Sequence, residues 1–287
     1  MPNKSVHRLP RESPVPSQIG LAADHLGELL IDSGIQALLD SKLPVDLEEI
    51  ARAVGIKSIH AASIPGAGML VPLDGKALIL VNKSHPKERQ RFSCAHEIAH
   101  AMIDPEVGPA LRRRSTASKN ELEKTCERLA SLLVMPNPAF RDLAVAKKPS
   151  IAAVEYLCRI FATSVQATAI RFITEINEAC VLIVSDKFAG SNSSQPTVRW
   201  ANHNIPKPER GAKLFIRPGT PLSIRTAMAA SYKSGVQRGW DVIQLGDQHC
   251  RSYVESKSFG QGDREYVLSL VFPERTLARH LIEARGN

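Results

Sequence analysis

The sequence predicts an α+β protein built in two parts, and three observations carry that expectation. Apolar residues recur at helical spacing in most segments between Leu21 and Ile173, short β-type runs dominate from Ala179 onward, and a Gly- and Ser-rich stretch, Phe188 to Ser194, follows the first of those runs. The chain has 287 residues, 43% hydrophobic and 23% charged, which suits a globular protein large enough for two ordinary cores. No run approaches the roughly 20 apolar residues of a membrane span. Met1 to Pro10 lacks the apolar centre of a secretion signal, so residues 1–16 are expected to form a disordered tail and the protein to be cytoplasmic. Five cysteines, Cys94, Cys126, Cys158, Cys180 and Cys250, form no Cys-x-x-Cys pair and read as reduced core residues.

Taken in order, Leu21 to Leu39 reads as an amphipathic helix, and Asp46 with Glu49 caps a second helix that ends at Gly55. Met69–Val71 and Ala77–Val81 flank Asp74-Gly75, a two-residue turn signal, and predict a hairpin. Ser84 and Pro86 start a helix in which Phe92, Ala95, Ala99 and Ile103 share an apolar stripe, with a stop near Asp104-Pro105. Ser118 and Glu121 form a capping-box start for the next, whose stripe is Leu122, Cys126, Leu129 and Leu133. Ile151–Phe161 and Val165–Ile173 are two short helical patterns separated by Ala162-Thr163-Ser164, with Ser164 as cap. Val154, Leu157, Phe161, Val165, Ala169 and Phe172 give them a shared apolar set. This is the shape of a helix-turn-helix whose second helix would present Gln166, Thr168 and Arg171 to a DNA groove, although the glycine often found in such turns is absent. Docking, or support of the preceding domain, is the expected use of this pair.

The second part is expected to hold strands at 180–184, 197–200, 213–216, 240–245 and 265–272, a helix at 222–232 and a last helix at 275–284. Trp200 and Trp240 are expected in its core. The domain limits read this way are a tail at 1–16, a first domain at 17–145, a helix-turn-helix-like segment at 146–177 and an α+β domain at 178–287.

The chemistry is concentrated in His96-Glu97-Ile98-Ala99-His100. Residues at i and i+4 share a helix face, so the two imidazoles can converge on one cation and supply two of the four ligands of zinc. Glu97 need not bind metal; its carboxylate can take a proton from a zinc-bound water and return it to a leaving amine. Two histidines that merely satisfy hydrogen bonds would need neither the glutamate nor the helical register. A hydrolytic site wants a third protein ligand and one open position, and Glu123 and Glu127 lie together on one side of the following helix. One of them could ligate while the other orients a ligand histidine. Cys94, two residues before His96, points about 200° away from it on a helix, and Cys126 stands on an apolar stripe, so both are expected in the core. Such a His-His-Glu set accepts manganese as well as zinc.

The formal net charge of +8 raises the question of nucleic acid, but its clusters are modest: Arg112-Arg113-Arg114, Lys147-Lys148, and Lys207, Arg210, Lys213 and Arg217. A solvated basic surface or one facing an acidic protein partner serves equally well, and DNA is only weakly supported as a partner.

Arg91 to Ile103, followed by Glu123 to Pro136 and preceded by Pro44 to Ile56, resembles the ImmA/IrrE family of zinc-dependent regulatory proteases. In that family an Arg-Phe lead-in precedes the HExxH helix, and a second helix carrying a glutamate ligand ends in a Leu-Met-Pro-type stop. The resemblance implies a zincin-like, mostly helical metallopeptidase domain with a small sheet, followed in some members by a sensor-like domain. Counting back from Met135-Pro136, it puts the glutamate ligand on Glu123, with Glu127 as second choice because the family often has asparagine there. It also implies a substrate, a partner repressor of the Xre helix-turn-helix type. The competing readings are non-hydrolytic: a DNA-binding regulator, or one that sequesters the repressor without cutting it.

Overall fold

The computed structural model describes residues 31–73, 76–103, 119–186, 196–205, 216–245, 248–260 and 264–274. The chain divides into two compact units, Met1–Pro136 and Asn137–Asn287. The expected tail, the helix from Leu21 as far as Leu30, the stop at Asp104-Pro105, the cap at Ser118, the Gly- and Ser-rich stretch and the last helix lie outside the described residues.

In the first unit, α1 (Ser33–Ser41) is capped by Asp32, whose carboxylate accepts from the Ile35 amide at 2.8 Å. Asp46 caps α2 (Leu47–Ala53) by accepting from the amides of Glu48 and Glu49 at 3.0 and 3.3 Å. Gly55, at φ +85°, turns the chain out of that helix in a conformation that suits a residue without Cβ. Three strands follow: β1 (Ile56–Ala62), β2 (Gly68–Leu73) and β3 (Lys76–Asn82), in the order β1-β3-β2. β2 and β3 are the expected hairpin, antiparallel with Met69 opposite Leu80 and Val71 opposite Leu78, and β1 runs parallel to β3 on its other side. β1 escapes a sequence search because Lys57, Ser58 and His60 break its apolar run, and only Ile56 in it is buried.

The loop before β2 is tied to the end of β3. Asn82 donates from Nδ2 to the carbonyls of Ile64 and Gly66 at 2.6 and 2.9 Å and accepts at Oδ1 from the amide and hydroxyl of Ser84. α3 (Lys87–Ile103) then packs on the sheet and buries Cys94, Ala95, Ile98 and Ala99, while α4 (Lys119–Val134) buries Cys126, Leu129, Ala130 and Leu133. The two helices pack against each other, and the site lies where they meet.

In the second unit, α5 (Asn137–Val145), α6 (Ile151–Phe161) and α7 (Val165–Glu175) form a helical cluster in which Phe140 and Phe161 meet at 5.1 Å. The left-handed turn between α6 and α7 falls on Ala162, at φ 50°, where a glycine is usual. Ser164 caps α7 as expected. The three side chains that a DNA-reading helix would turn outward make contacts within the unit. Thr168 is fully buried and bonded to Thr163 at 2.7 Å, Arg171 bonds Asn137 and pairs with Glu175 at 3.1 Å, and Gln166 bonds Tyr266.

An antiparallel sheet of β4 (Val181–Ser185), β5 (Val198–His203), β6 (Gln237–Leu245), β7 (Gln248–Phe259) and β8 (Tyr266–Pro273) has the order β5-β4-β8-β7-β6. α8 (Arg225–Tyr232) covers one face, over a core that includes Val181, Ile183, Val254, Val267 and Val271. β7 was not expected, since its inward positions include Ser252 and Ser256, which lack the apolar alternation that marks a strand. Those serines are fully buried, and Ser256 bonds Thr226 at 3.0 Å and Ser269 at 2.8 Å. Of the strand expected at 213–216 only Ile216 is described, and it lies in no strand. Trp240, expected in the core, is 52% exposed on edge strand β6, with the Arg251 guanidinium 4.6 Å from its ring centre.

Candidate metal centre

α3 carries His96 and His100 one turn apart, and the helix register turns both rings to the same side, with centroids 4.8 Å apart. α4 brings Glu123 to them. The His96 and His100 Nε2 atoms are 3.2 Å apart, and Glu123 Oε2 stands 3.3 Å from His96 Nε2 and 3.7 Å from His100 Nε2. Nitrogen and oxygen ligands at about 2.0–2.2 Å from a tetrahedral ion are spaced about 3.3–3.6 Å from one another. The three observed separations cluster about that spacing, so the donor set fits a single small divalent cation. Among the described residues this is the one His, Cys, Asp or Glu group gathered closely enough to hold a metal. The side chains are 19%, 12% and 39% exposed, sheltered yet reachable from solvent.

Glu127 is exposed and lies outside that group. Cys126 also faces His100 from α4. Cys126, fully buried, places its sulfur 3.3 Å from His100 Nδ1. For Nε2 to offer its lone pair to a metal, Nδ1 must carry the ring proton and donate it, and the Cys126 sulfur is placed to accept. The sequence reading had assigned Cys126 to packing alone. The available signal was its spacing three residues after Glu123, which sets both on neighbouring positions of one helix surface. Cys94 is buried two residues before His96, and burial pushes its thiol up to about 12, so it stays a neutral core group.

Glu97 is 7% exposed, on the side of α3 that faces β2. Arg91, nearer the start of α3, reaches to the Val45 carbonyl and joins the helix to the segment before α2. Burial lowers the Arg91 pKa from its ordinary value, though not enough to discharge a guanidinium at neutral pH. A concentration of nitrogen and oxygen donors on two packed helices, with a buried carboxylate beside them, is the equipment of a hydrolytic metal site.

Residues 52–172 match the family described as Peptidase M78, IrrE N-terminal-like domain. The chain is 25% identical over 178 residues, 56% of its length, to a radiation response metalloprotease IrrE of Deinococcus radiodurans. It is 31% identical over 155 residues, 50% of its length, to the protein of the same name from Deinococcus deserti. It spans about half the length of these relatives, 52% and 53%. Among solved structures it shares the fold of a Mycobacterium tuberculosis transcriptional regulator, at 13% identity and a TM-score of 0.55, over 92% of this chain and 78% of that one.

Proposed function

The chain belongs to the ImmA/IrrE family of metallopeptidases through residues 52–172, and from that premise we propose that it is a zinc-dependent regulatory endopeptidase that cuts a partner transcriptional repressor of the Xre helix-turn-helix type. The observation that carries the reading is the convergence of His96, His100 and Glu123 from two helices, at separations a small divalent ion requires. His96 and His100 would hold the ion through Nε2 and Glu123 through a carboxylate oxygen. Zinc held there, or manganese in its place, would lower the pKa of a water towards neutrality and polarise the scissile carbonyl.

The remaining work belongs to the protein. Glu97 takes the proton of the attacking water and passes it to the leaving amine. Its burial keeps bulk water from levelling that exchange. The Cys126 sulfur holds His100 in the tautomer that binds metal. Among the described residues β2 pairs on one side only, so its other edge can pair with an extended peptide segment. Pro72 within β2 has no amide to donate, which confines that pairing to Gly68–Val71, and exposed Met69 offers an apolar contact there.

No helix among the described residues is long and apolar enough to cross a membrane. A DNA-binding role would need a free recognition helix, and the internal bonds of Gln166, Thr168 and Arg171 speak against α7 in that role. The purified protein, incubated with candidate Xre-type repressors, should release a discrete fragment in the presence of zinc and none after chelation. A repressor bound tightly but left intact under both conditions would favour sequestration.

A further inference from the structure

We propose that Gly68 is a positioning residue for Glu97, the space where its side chain is missing being the space in which the Glu97 carboxylate stands. The catalytic half of this inference rests on the peptidase reading above. A Cβ placed on Gly68 would lie 2.9 Å from Glu97 Oε1, 3.1 Å from Glu97 Cγ and 3.3 Å from the Ser93 carbonyl oxygen. The first is closer than real Cβ atoms come to other heavy atoms, so either the carboxylate or a backbone must shift.

Backbone conformation is not the reason for glycine at this position. The positive-φ glycines of the described residues are Gly55, Gly219, Gly235 and Gly260, so an alanine could adopt the torsions of Gly68. The neighbouring backbone has little freedom to retreat. On one side the Ala67 carbonyl accepts from the Asn82 amide at 3.0 Å, and the Asn82 side chain fastens Ile64 and Gly66. On the other, Ser93 is part of α3. Glu97, at 7% exposure, is the part of the contact that must give. None of these three nearest atoms belongs to His96, His100 or Glu123, so a methyl group at Gly68 should displace the general base and leave the metal-binding set in place.

Gly66 supplies an internal control, because a Cβ there would meet only the Gly68 carbonyl at 3.5 Å, an ordinary contact. The test is a cycle of Gly68→Ala, Glu97→Ala and the double variant, with Gly66→Ala alongside, read by melting temperature, by zinc affinity against a chromophoric chelator and by turnover of a cleaved repressor. Gly68→Ala should lower the melting temperature by about 3 °C or more when Glu97 is present and by less than about 1 °C when residue 97 is alanine. Its zinc affinity should stay within about threefold of wild type, and its kcat should fall about 100-fold or more with KM nearly unchanged. Gly66→Ala should match wild type in every readout. Equal melting losses in the two backgrounds, wild-type turnover by Gly68→Ala, or loss of zinc in that variant would each overturn the proposal. If Gly68→Ala fails to fold, the double variant must fold for the proposal to stand. A wild-type protein that cuts no repressor refutes the peptidase reading instead, and the melting cycle alone then decides whether Gly68 houses Glu97.

Discussion

Replacing Cys126 with alanine tests whether the sulfur beside His100 orients a metal ligand or merely fills space. The sulfur stands 3.3 Å from Nδ1 in a fully buried position, so no water replaces it when it is removed. Outer-shell partners of metal-binding histidines are worth about 10- to 100-fold in affinity, and cysteine sulfur is a weak acceptor, which puts this contact near the lower end. We expect zinc to bind about tenfold more weakly to Cys126→Ala, equivalent to ~1.4 kcal/mol. The small cavity left by the sulfur costs a further ~1 kcal/mol of folding stability, but that loss is common to the metal-free and metal-loaded folded protein and so cancels in the binding constant. Cys126→Ser, with a better acceptor on a shorter bond, should fall between the two. The assay is competition against a chromophoric chelator at neutral pH, with melting curves of the metal-free proteins run in parallel. Wild-type zinc affinity in Cys126→Ala together with a lowered melting temperature would refute the orienting role and leave Cys126 as packing.

The two carboxylates of α4 should behave differently: Glu123→Ala should lose about 100-fold or more in zinc affinity, whereas Glu127→Ala, altering an exposed side chain outside the donor group, should bind like wild type. Ala162→Gly should stabilise the protein by up to about 1 kcal/mol in denaturant titrations, because Ala162 holds a left-handed conformation at φ 50° that glycine adopts without Cβ strain. Asp186 accepts from the Thr197 hydroxyl at 2.6 Å and from Arg199 Nε at 2.5 Å, which hold its carboxyl below the ordinary 3.8. A depressed folded-state value adds stability above the unfolded-state value and loses it as pH falls through the folded one. The melting temperature of Asp186→Asn should therefore lie below wild type at pH 7, and the gap should close as pH drops below 3.8; with both partners over a third exposed, the loss should be at most about 1 kcal/mol.

The convergence of His96 and His100 was legible in the sequence because the i, i+4 rule is a local property of the helix, and the pair with Glu97 needed only one helical turn to declare itself. Glu123 was not legible from spacing, since Glu123 and Glu127 share a side of α4; the choice came from family likeness, and the geometry now groups Glu123 with the histidines. The contacts that tune the site are non-local. Cys126 meets a residue 26 positions away and Gly68 one 29 positions away, and no periodicity encodes such meetings. In the second unit, strands written mostly in apolar residues, such as Val181–Ser185 and Tyr266–Pro273, were visible, whereas β7 hides behind buried serines whose hydroxyls find partners inside the unit. Trp240 shows the converse: read by residue type it belongs in the core, but it stands on an exposed strand edge with a guanidinium over its ring.

The central claim is that one divalent ion is held by His96, His100 and Glu123, with Glu97 beside it as base rather than ligand. Elemental analysis of the purified wild type, His96→Ala and Glu97→Gln, each assayed for repressor cleavage, measures this directly. The account predicts about one zinc per chain in wild type and Glu97→Gln, cleavage in wild type alone, and little metal in His96→Ala. Full metal content in His96→Ala, or undiminished cleavage by Glu97→Gln, would contradict it.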